Sequence, residues 1–328
     1  MKKSLVILLA ATLGLAACNR EKKGAGGLLY TIHKDGGNAK IQVGDVIKMN
    51  YSLKNDKDSV LMSTYDNEMA QIFPVQAKTY AGDINDVLLL FGEGDSATFK
   101  INLDTMQHYT KQPKQEQFKN DKYMTFTVKL EKVFKKKPNE ADSTFQKRAG
   151  EFFQADYKAT MDKMKGAEDA KLKAYEADKN LKTTVSPSGL HYVIVAPGDS
   201  QRAAVGDTVS VNYTGSTTKL NREKKYKVFD TSDEKIAKAN NAFQNGRPYG
   251  PTKMVLGSVI PGFNEGLQLI GKGGKITMII PSKLGYGDQG NPQAGITPFT
   301  PIAFDVEIVD IIKGKPVTAA PSIPKPAN

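Results

Sequence analysis

The side chains that most often carry covalent or metal chemistry are scarce in this sequence. Its 328 residues include one cysteine and three histidines. The lone Cys18 rules out an internal disulfide framework and a cysteine-based zinc site, and His33, His108 and His191 are too scattered to suggest a metal centre. No cofactor or metal is expected. What stands out instead is a set of runs in the second half: Val-Ser-Val-Asn-Tyr-Thr-Gly at 209–215, Val-Phe-Asp-Thr-Ser at 228–232, Leu-Gly-Ser-Val-Ile-Pro-Gly-Phe-Asn-Glu-Gly-Leu at 256–267, Ile-Pro-Ser-Lys-Leu-Gly-Tyr-Gly at 280–287 and Phe-Asp-Val-Glu-Ile at 304–308. Taken singly, their residues have ordinary structural roles. Tyr213, Phe263 and Phe304 suit core packing, Asp230 before Thr231 and Ser232 suits a turn, and Gly285-Tyr286-Gly287 suits a turn with an exposed ring.

These runs sit on elements that the sequence uses twice. Gly27-Leu28-Leu29-Tyr30 matches Gly189-Leu190-His191-Tyr192, and Gly44-Asp45 with Asn50-Tyr51 matches Gly206-Asp207 with Asn212-Tyr213, all at an offset of 162. Ile47, Met49 and Tyr51 share one face of a period-2 strand, as do Val209, Val211 and Tyr213. Further on the offset grows to 179, and 217–226 and 233–250 read as loop insertions in the second copy. There Ile84, Leu88 and Phe91 correspond to Phe263, Leu267 and Ile270, one short helical stripe per copy, ended by Gly92 or Gly271. Ala97, Phe99 and Ile101 align with Ile276, Met278 and Ile280. Met124, Phe126, Val128 and Leu130 align with Ile302, Phe304, Val306 and Ile308. Alternating strands need one face buried, and an antiparallel sheet wrapped over one short helix provides it. The expected fold class is α+β, with two such domains.

A composition of 39% hydrophobic and 25% charged residues excludes a disordered or collagenous chain. The net charge of +11 permits contact with anionic membrane, nucleic acid or acidic proteins without selecting one. Lys2 and Lys3, the apolar run 5–15 and Leu15-Ala16-Ala17-Cys18 form an export signal, too short for a membrane span. Leu-Ala-Ala-Cys resembles the lipobox of bacterial lipoproteins, in which the cysteine carries lipid; the plainer alternative is a secretory signal before a free cysteine. Ala149, Phe153, Tyr157, Met161 and Met164 recur at helical spacing between the copies. The expected organisation is a signal peptide at 1–17, a tether at 18–26, a first domain at 27–137, a helical linker at 138–187, a second domain at 188–314 and a disordered proline-rich tail at 315–328. The linker is either a spacer packed on a domain or a dimerising or client-contacting helix. Dispersed basic residues and the export signal argue against nucleic-acid binding.

In order and spacing, the five runs closely resemble the FKBP-type peptidyl-prolyl cis-trans isomerases over roughly residues 188–312. The first copy, about 27–134, is similar in pattern only. The resemblance implies a twisted antiparallel sheet curling around one short helix, and catalysis of rotation about X-Pro bonds. Amide resonance opposes that rotation by ~18–20 kcal/mol. A twisted amide has lost this resonance, so a dry apolar pocket gripping the proline ring favours it over the planar ground state. No covalent bond is made or broken, which suits a chain poor in His and Cys. Carried over motif by motif, the pocket lining is Tyr213, Phe229, Val259, Ile260, Phe263, Tyr286, Ile296 and Phe304. The family resemblance makes Phe263 the floor, where many members have Trp, and has Ile260 offer its backbone N–H and Tyr286 its hydroxyl to substrate. Asp230 then acts as an electrostatic and hydrogen-bonding residue, not as a base. Ile296 follows a stretch, 291–295, one residue longer than the family form. The first copy has Leu61-Met62 in place of Phe229-Asp230 and Tyr80-Ala81 in place of Val259-Ile260, and has no Gly-Tyr-Gly near 106–108. It is expected to fold without catalysing. The implied partners are unfolded or partly folded proline-containing proteins of the cell envelope and a membrane held through lipid on Cys18, with the outer membrane facing the periplasm as the expected location. A homodimer through the linker or the N-terminal domain is a further expectation. The competing function is a chaperone-like lipoprotein that binds clients with little turnover.

Overall fold

The computed structural model describes residues 20–221 and 224–314. The segment expected to be a signal peptide, Cys18 with its expected lipid and the tail 315–328 lie outside the described residues. The chain forms two compact units, Met1–Asp156 and Tyr157–Asn328.

The first unit runs β1 (Lys22–Lys23), β2 (Leu29–Lys34), β3 (Val46–Lys54), β4 (Val60–Ser63), β5 (Gln71–Pro74), α1 (Ile84–Leu88), β6 (Ser96–Asn102), α2 (Leu103–Thr110) and β7 (Tyr123–Phe134), followed by the start of α3 (Asp142–Gly166). Its strands form an antiparallel sheet in the order β1-β2-β6-β7-β3-β4, with β5 also on β3. The alternation read in the sequence faces Ile47, Met49, Ala97, Phe99, Ile101, Val128 and Leu130 inward, where they meet Val87, Leu88 and Phe91. Asp83 starts α1 by accepting the Asp86 N–H, a standard way to satisfy a free helix donor.

The second unit continues α3 and adds α4 (Glu168–Asp178), β8 (Thr184–Val185), β9 (His191–Ala196), β10 (Thr208–Leu220), β11 (Tyr226–Thr231), α5 (Glu234–Ala239), β12 (Thr252–Val255), α6 (Pro261–Gln268), β13 (Lys275–Ile280) and β14 (Ile302–Ile312). Its sheet order, β8-β9-β13-β14-β10-β11 with β12 on β10, repeats the first strand for strand. The duplication reaches single hydrogen bonds. A bulge interrupts β3 between Lys48 and Met49, and its counterpart interrupts β10 between Ser210 and Val211. Asp45 accepts the Gln42 N–H and pairs with Lys135, while Asp207 accepts the Ala204 N–H and pairs with Lys313. Pro261 opens α6 at a position where a missing N–H costs nothing. α6 lies so close to β13 that a Cβ at Gly266 would fall on the Met278 sulfur.

Three features differ from the sequence reading. Residues 217–220 are not loop; they continue β10 into a longer hairpin with β11. The stretch 233–250 includes α5, capped by Asp233, whose carboxylate accepts from Lys235 and Ile236. The first copy carries α2, which the strand pattern did not announce, started by Asn102 accepting from Asp104 and Thr105. The residues at 138–187 are helical at 142–166 and 168–178, interrupted at Ala167, while Gly150 stays within α3. At its start α3 packs Phe145, Ala149 and Phe153 on Phe134 in the first unit. α4 belongs to the second unit, where Leu172 and Tyr175 are buried against Ile279 and Ala303. Among the described residues, no helix is long and apolar enough to cross a membrane.

Candidate active site

The residues singled out in the second copy converge on one core cluster. Tyr213 on β10, Phe304 on β14, Phe263 on α6 and Ile296 are buried in it, and Phe229, Val259, Ile260 and Tyr286 pack half-buried against it. Phe263 meets Phe304 edge to face at 4.9 Å and Tyr213 at 6.3 Å, and Phe229 stands perpendicular to Phe304 at 5.6 Å. Edge-to-face rings bring a positive rim onto a negative face, so the floor is both apolar and geometrically fixed.

Local backbone explains each placement. The register pairs Asp230 with Gly215 and Val228 with Ser216, so Phe229 is the extra residue of a bulge, the device by which a strand re-aims a side chain. Gly215 makes room for it, since a Cβ there would sit 2.6 Å from Phe304 and 2.8 Å from Phe229. Ile260 is the residue that caps α6, and its carbonyl accepts from Phe263 and Asn264 at 3.1 Å. The Asn264 side chain locks the preceding turn, donating to Val259 O at 2.7 Å and accepting from Gly257 N at 2.8 Å. Ile296 is held by a two-way backbone bridge with Asn291, so the longer 291–295 stretch still delivers it to the core. Among the described residues, none accepts the Ile260 N–H or pairs with the Tyr286 hydroxyl.

The polar rim is a triangle. Tyr213 donates its hydroxyl to Asp230 at 2.8 Å, and Arg247 donates to Asp230 at 2.6 Å and to the Tyr213 oxygen at 2.9 Å. Burial, reinforced by the neighbouring Asp230 charge, pushes the Tyr213 hydroxyl up to about 12, so it remains a donor. Burial works against the Arg247 charge, but Asp230 and Tyr213 outweigh it and raise its pKa. Sequence reasoning missed Arg247. Its one signal is an arginine in a chain whose basic residues are overwhelmingly lysine, placed in the 233–250 segment that read as loop.

The first unit keeps the frame and loses the pocket. Its pairing of Leu53 with Met62 repeats that of Gly215 with Asp230, so a leucine side chain stands where the second unit has none. Tyr51, the counterpart of Tyr213, gives its hydroxyl to the Met62 sulfur at 3.2 Å. Tyr80 is buried and stacked on Tyr109 at 5.3 Å, and α2 follows β6 where the second unit has the 282–287 turn.

The second unit thus brings together an antiparallel sheet over one helix, an aromatic cluster and a carboxylate fixed by Tyr213 and Arg247. Residues 199–309, within the second unit, match the model of the family "FKBP-type peptidyl-prolyl cis-trans isomerase". The chain is 41% identical over 133 residues to a probable FKBP-type peptidyl-prolyl cis-trans isomerase of Haemophilus influenzae, covering 40% of this chain and 46% of the relative. It is 36% identical over 171 residues to the FKBP-type peptidyl-prolyl cis-trans isomerase FkpA of Escherichia coli, covering 51% and 54%. The chain thus spans about half the length of the curated relatives it matches. A crystal structure of FkpA from Escherichia coli aligns at 32% identity over 54% of this chain and 75% of that one, with a TM-score of 0.39.

Proposed function

We propose that the second unit is a peptidyl-prolyl cis-trans isomerase acting on proline-containing segments of exported proteins, held at a membrane of the cell envelope by lipid on Cys18. The observation that carries the activity is the convergence of Tyr213, Phe229, Phe263, Ile296 and Phe304 on one apolar cluster with Asp230 fixed at its rim. The proline ring enters the aromatic floor over Phe263. The Ile260 N–H and the Tyr286 hydroxyl hold carbonyls of the bound segment, leaving the X-Pro amide in a dry site. There the planar amide gives up its favourable hydration while the twisted amide, with less charge on its oxygen, gives up less. Asp230, kept charged-side inward by Tyr213 and Arg247, supplies a fixed field and no proton transfer. The proposal of an anchor rests on the Leu-Ala-Ala-Cys run, and the location proposed with it is the outer membrane, facing the periplasm.

A second activity sits beside the first. The edge strand β4 exposes Val60, Leu61 and Met62, which supports client holding by the first unit. The test of the main reading follows relaxation of a cis X-Pro peptide. Wild type accelerates it, and Asp230→Ala and Tyr286→Phe slow the catalysed phase. If wild type leaves the uncatalysed rate unchanged, the enzyme reading fails, and suppression of protein aggregation by the silent chain would then favour holding.

A further inference from the structure

α4 precedes every strand of the pocket in the chain, yet it reaches the turn that presents Tyr286. Glu168, in its first turn, is half-buried, and a single residue engages both of its oxygens. Ser282 donates its backbone N–H to Oε1 at 2.6 Å and its hydroxyl to Oε2 at 2.8 Å. Hydrogen bonds to a carboxylate are shorter and stronger than neutral ones, and two from one residue fix its orientation as well as its position. Ser282 is itself 4% exposed, so the serine end of this anchor is shielded from water. Its carbonyl faces the other way and accepts the N–H groups of Gly285 at 2.9 Å and Gly287 at 2.8 Å, the two residues that flank Tyr286.

A continuous polar path therefore runs from the Glu168 carboxylate, through one serine, to the backbone on both sides of Tyr286. With both flanking peptides held, the tyrosine ring has only its own side-chain torsions left to set the hydroxyl. The remainder of α4 keeps Glu168 in place. Leu172 and Tyr175 are buried against Ile279 and Ala303, and Asp178 accepts the Tyr226 hydroxyl at 2.9 Å at the start of the strand that carries Phe229 and Asp230. Glu168 lies outside the 199–309 stretch that matches the family model.

We propose that Glu168 is a positioning residue for the isomerase site, holding the Tyr286 hydroxyl in place through Ser282. The proposal rests on the reading that this pocket rotates X-Pro bonds, and the experiment separates the two. In the full chain, kcat/KM for isomerisation of an X-Pro peptide and hydrogen exchange at the Gly285 and Gly287 amides are measured for wild type, Glu168→Ala, Glu168→Gln, Tyr286→Phe and the Glu168→Ala/Tyr286→Phe pair. Glu168→Ala lowers kcat/KM by about tenfold, the scale on which misplacing a binding group costs rate. Glu168→Gln, which keeps one acceptor oxygen, falls between. In the Tyr286→Phe background Glu168→Ala has little further effect, because the hydroxyl it positions is gone. Exchange at Gly285 and Gly287 quickens in Glu168→Ala while the amides of β13 stay protected. A wild-type rate in Glu168→Ala overturns the proposal, as does full additivity with Tyr286→Phe accompanied by lost protection in β13. If wild type itself does not catalyse, the functional reading fails, and exchange at Gly285 and Gly287 decides the positional claim alone, with unchanged exchange refuting it.

Discussion

Arg247 and Gly215 show how much of the candidate site depends on single residues. The Arg247 guanidinium makes two directed bonds, one to Asp230 and one to the Tyr213 oxygen, which an ammonium cannot reproduce together. Arg247→Ala is expected to lower kcat/KM about tenfold, and Arg247→Lys to restore only part of it, as read in the peptide relaxation assay. Gly215→Ala forces a methyl against Phe304 and Phe229. Overpacking of this kind costs ~1–3 kcal/mol, so denaturant unfolding should shift and activity fall together. Tyr213 sets a pH expectation as well. A hydroxyl raised to about 12 stays protonated below that value and is lost only as pH rises through it. The activity profile should therefore have no alkaline limb from Tyr213 until pH nears 12. At this scale the sequence was informative where a residue's type served both packing and function. Tyr213, Phe263 and Phe304 could be placed because strand and helix periodicity aims them inward. Arg247 and Glu168 were illegible for the opposite reason, since each acts from outside the strands on a group distant in the chain, and no local pattern announces a partner that far away.

At the scale of elements, repeated alternation made the sheets readable, down to the shared bulge in β3 and β10. The helices α2 and α5 were harder to see because both are short, polar and defined by their caps, Asn102 and Asp233, instead of by an apolar stripe. The lock that closes each sheet is ionic. Lys313, then the Gly314 and Ala204 N–H groups, hold the Asp207 carboxyl down at about 2, against an ordinary value of 3.8. Folding thus favours the charged form. That contribution is fully present above about pH 4 and is lost as pH falls towards 2. Asp207→Asn should melt lower than wild type at pH 7 and show a flatter decline between pH 4 and 2, measured by thermal unfolding across that range. α4 gives a second expectation. Leu172 is buried against the second sheet, and Leu172→Ala should destabilise that unit by ~2–5 kcal/mol. A fragment of 188–314 should accordingly melt below one of 167–314 in calorimetry.

Across the whole molecule, one frame has been used twice with opposite outcomes. The buried faces of both sheets agree position by position, whereas the pocket positions diverge: Leu53 for Gly215, Leu61 for Phe229, Met62 for Asp230 and Ala81 for Ile260. Core residues are constrained by volume and alternation, which the duplicated pattern preserves. Positions outside the core carry no such demand, and in the first unit Leu53 stands where Gly215 leaves room in the second, while Met62 is exposed. All X-Pro chemistry is therefore proposed to lie in the second unit. Exchange NMR of an X-Pro peptide tests this most directly, because it reads cis-trans interconversion at equilibrium without a coupled reaction. With catalytic amounts of the full chain or of 167–314, the exchange rate should rise well above the uncatalysed value; with the Asp230→Ala chain it should rise less, and with 27–137 it should stay close to the uncatalysed value. Equal acceleration by 27–137, or none by the full chain, would contradict the account.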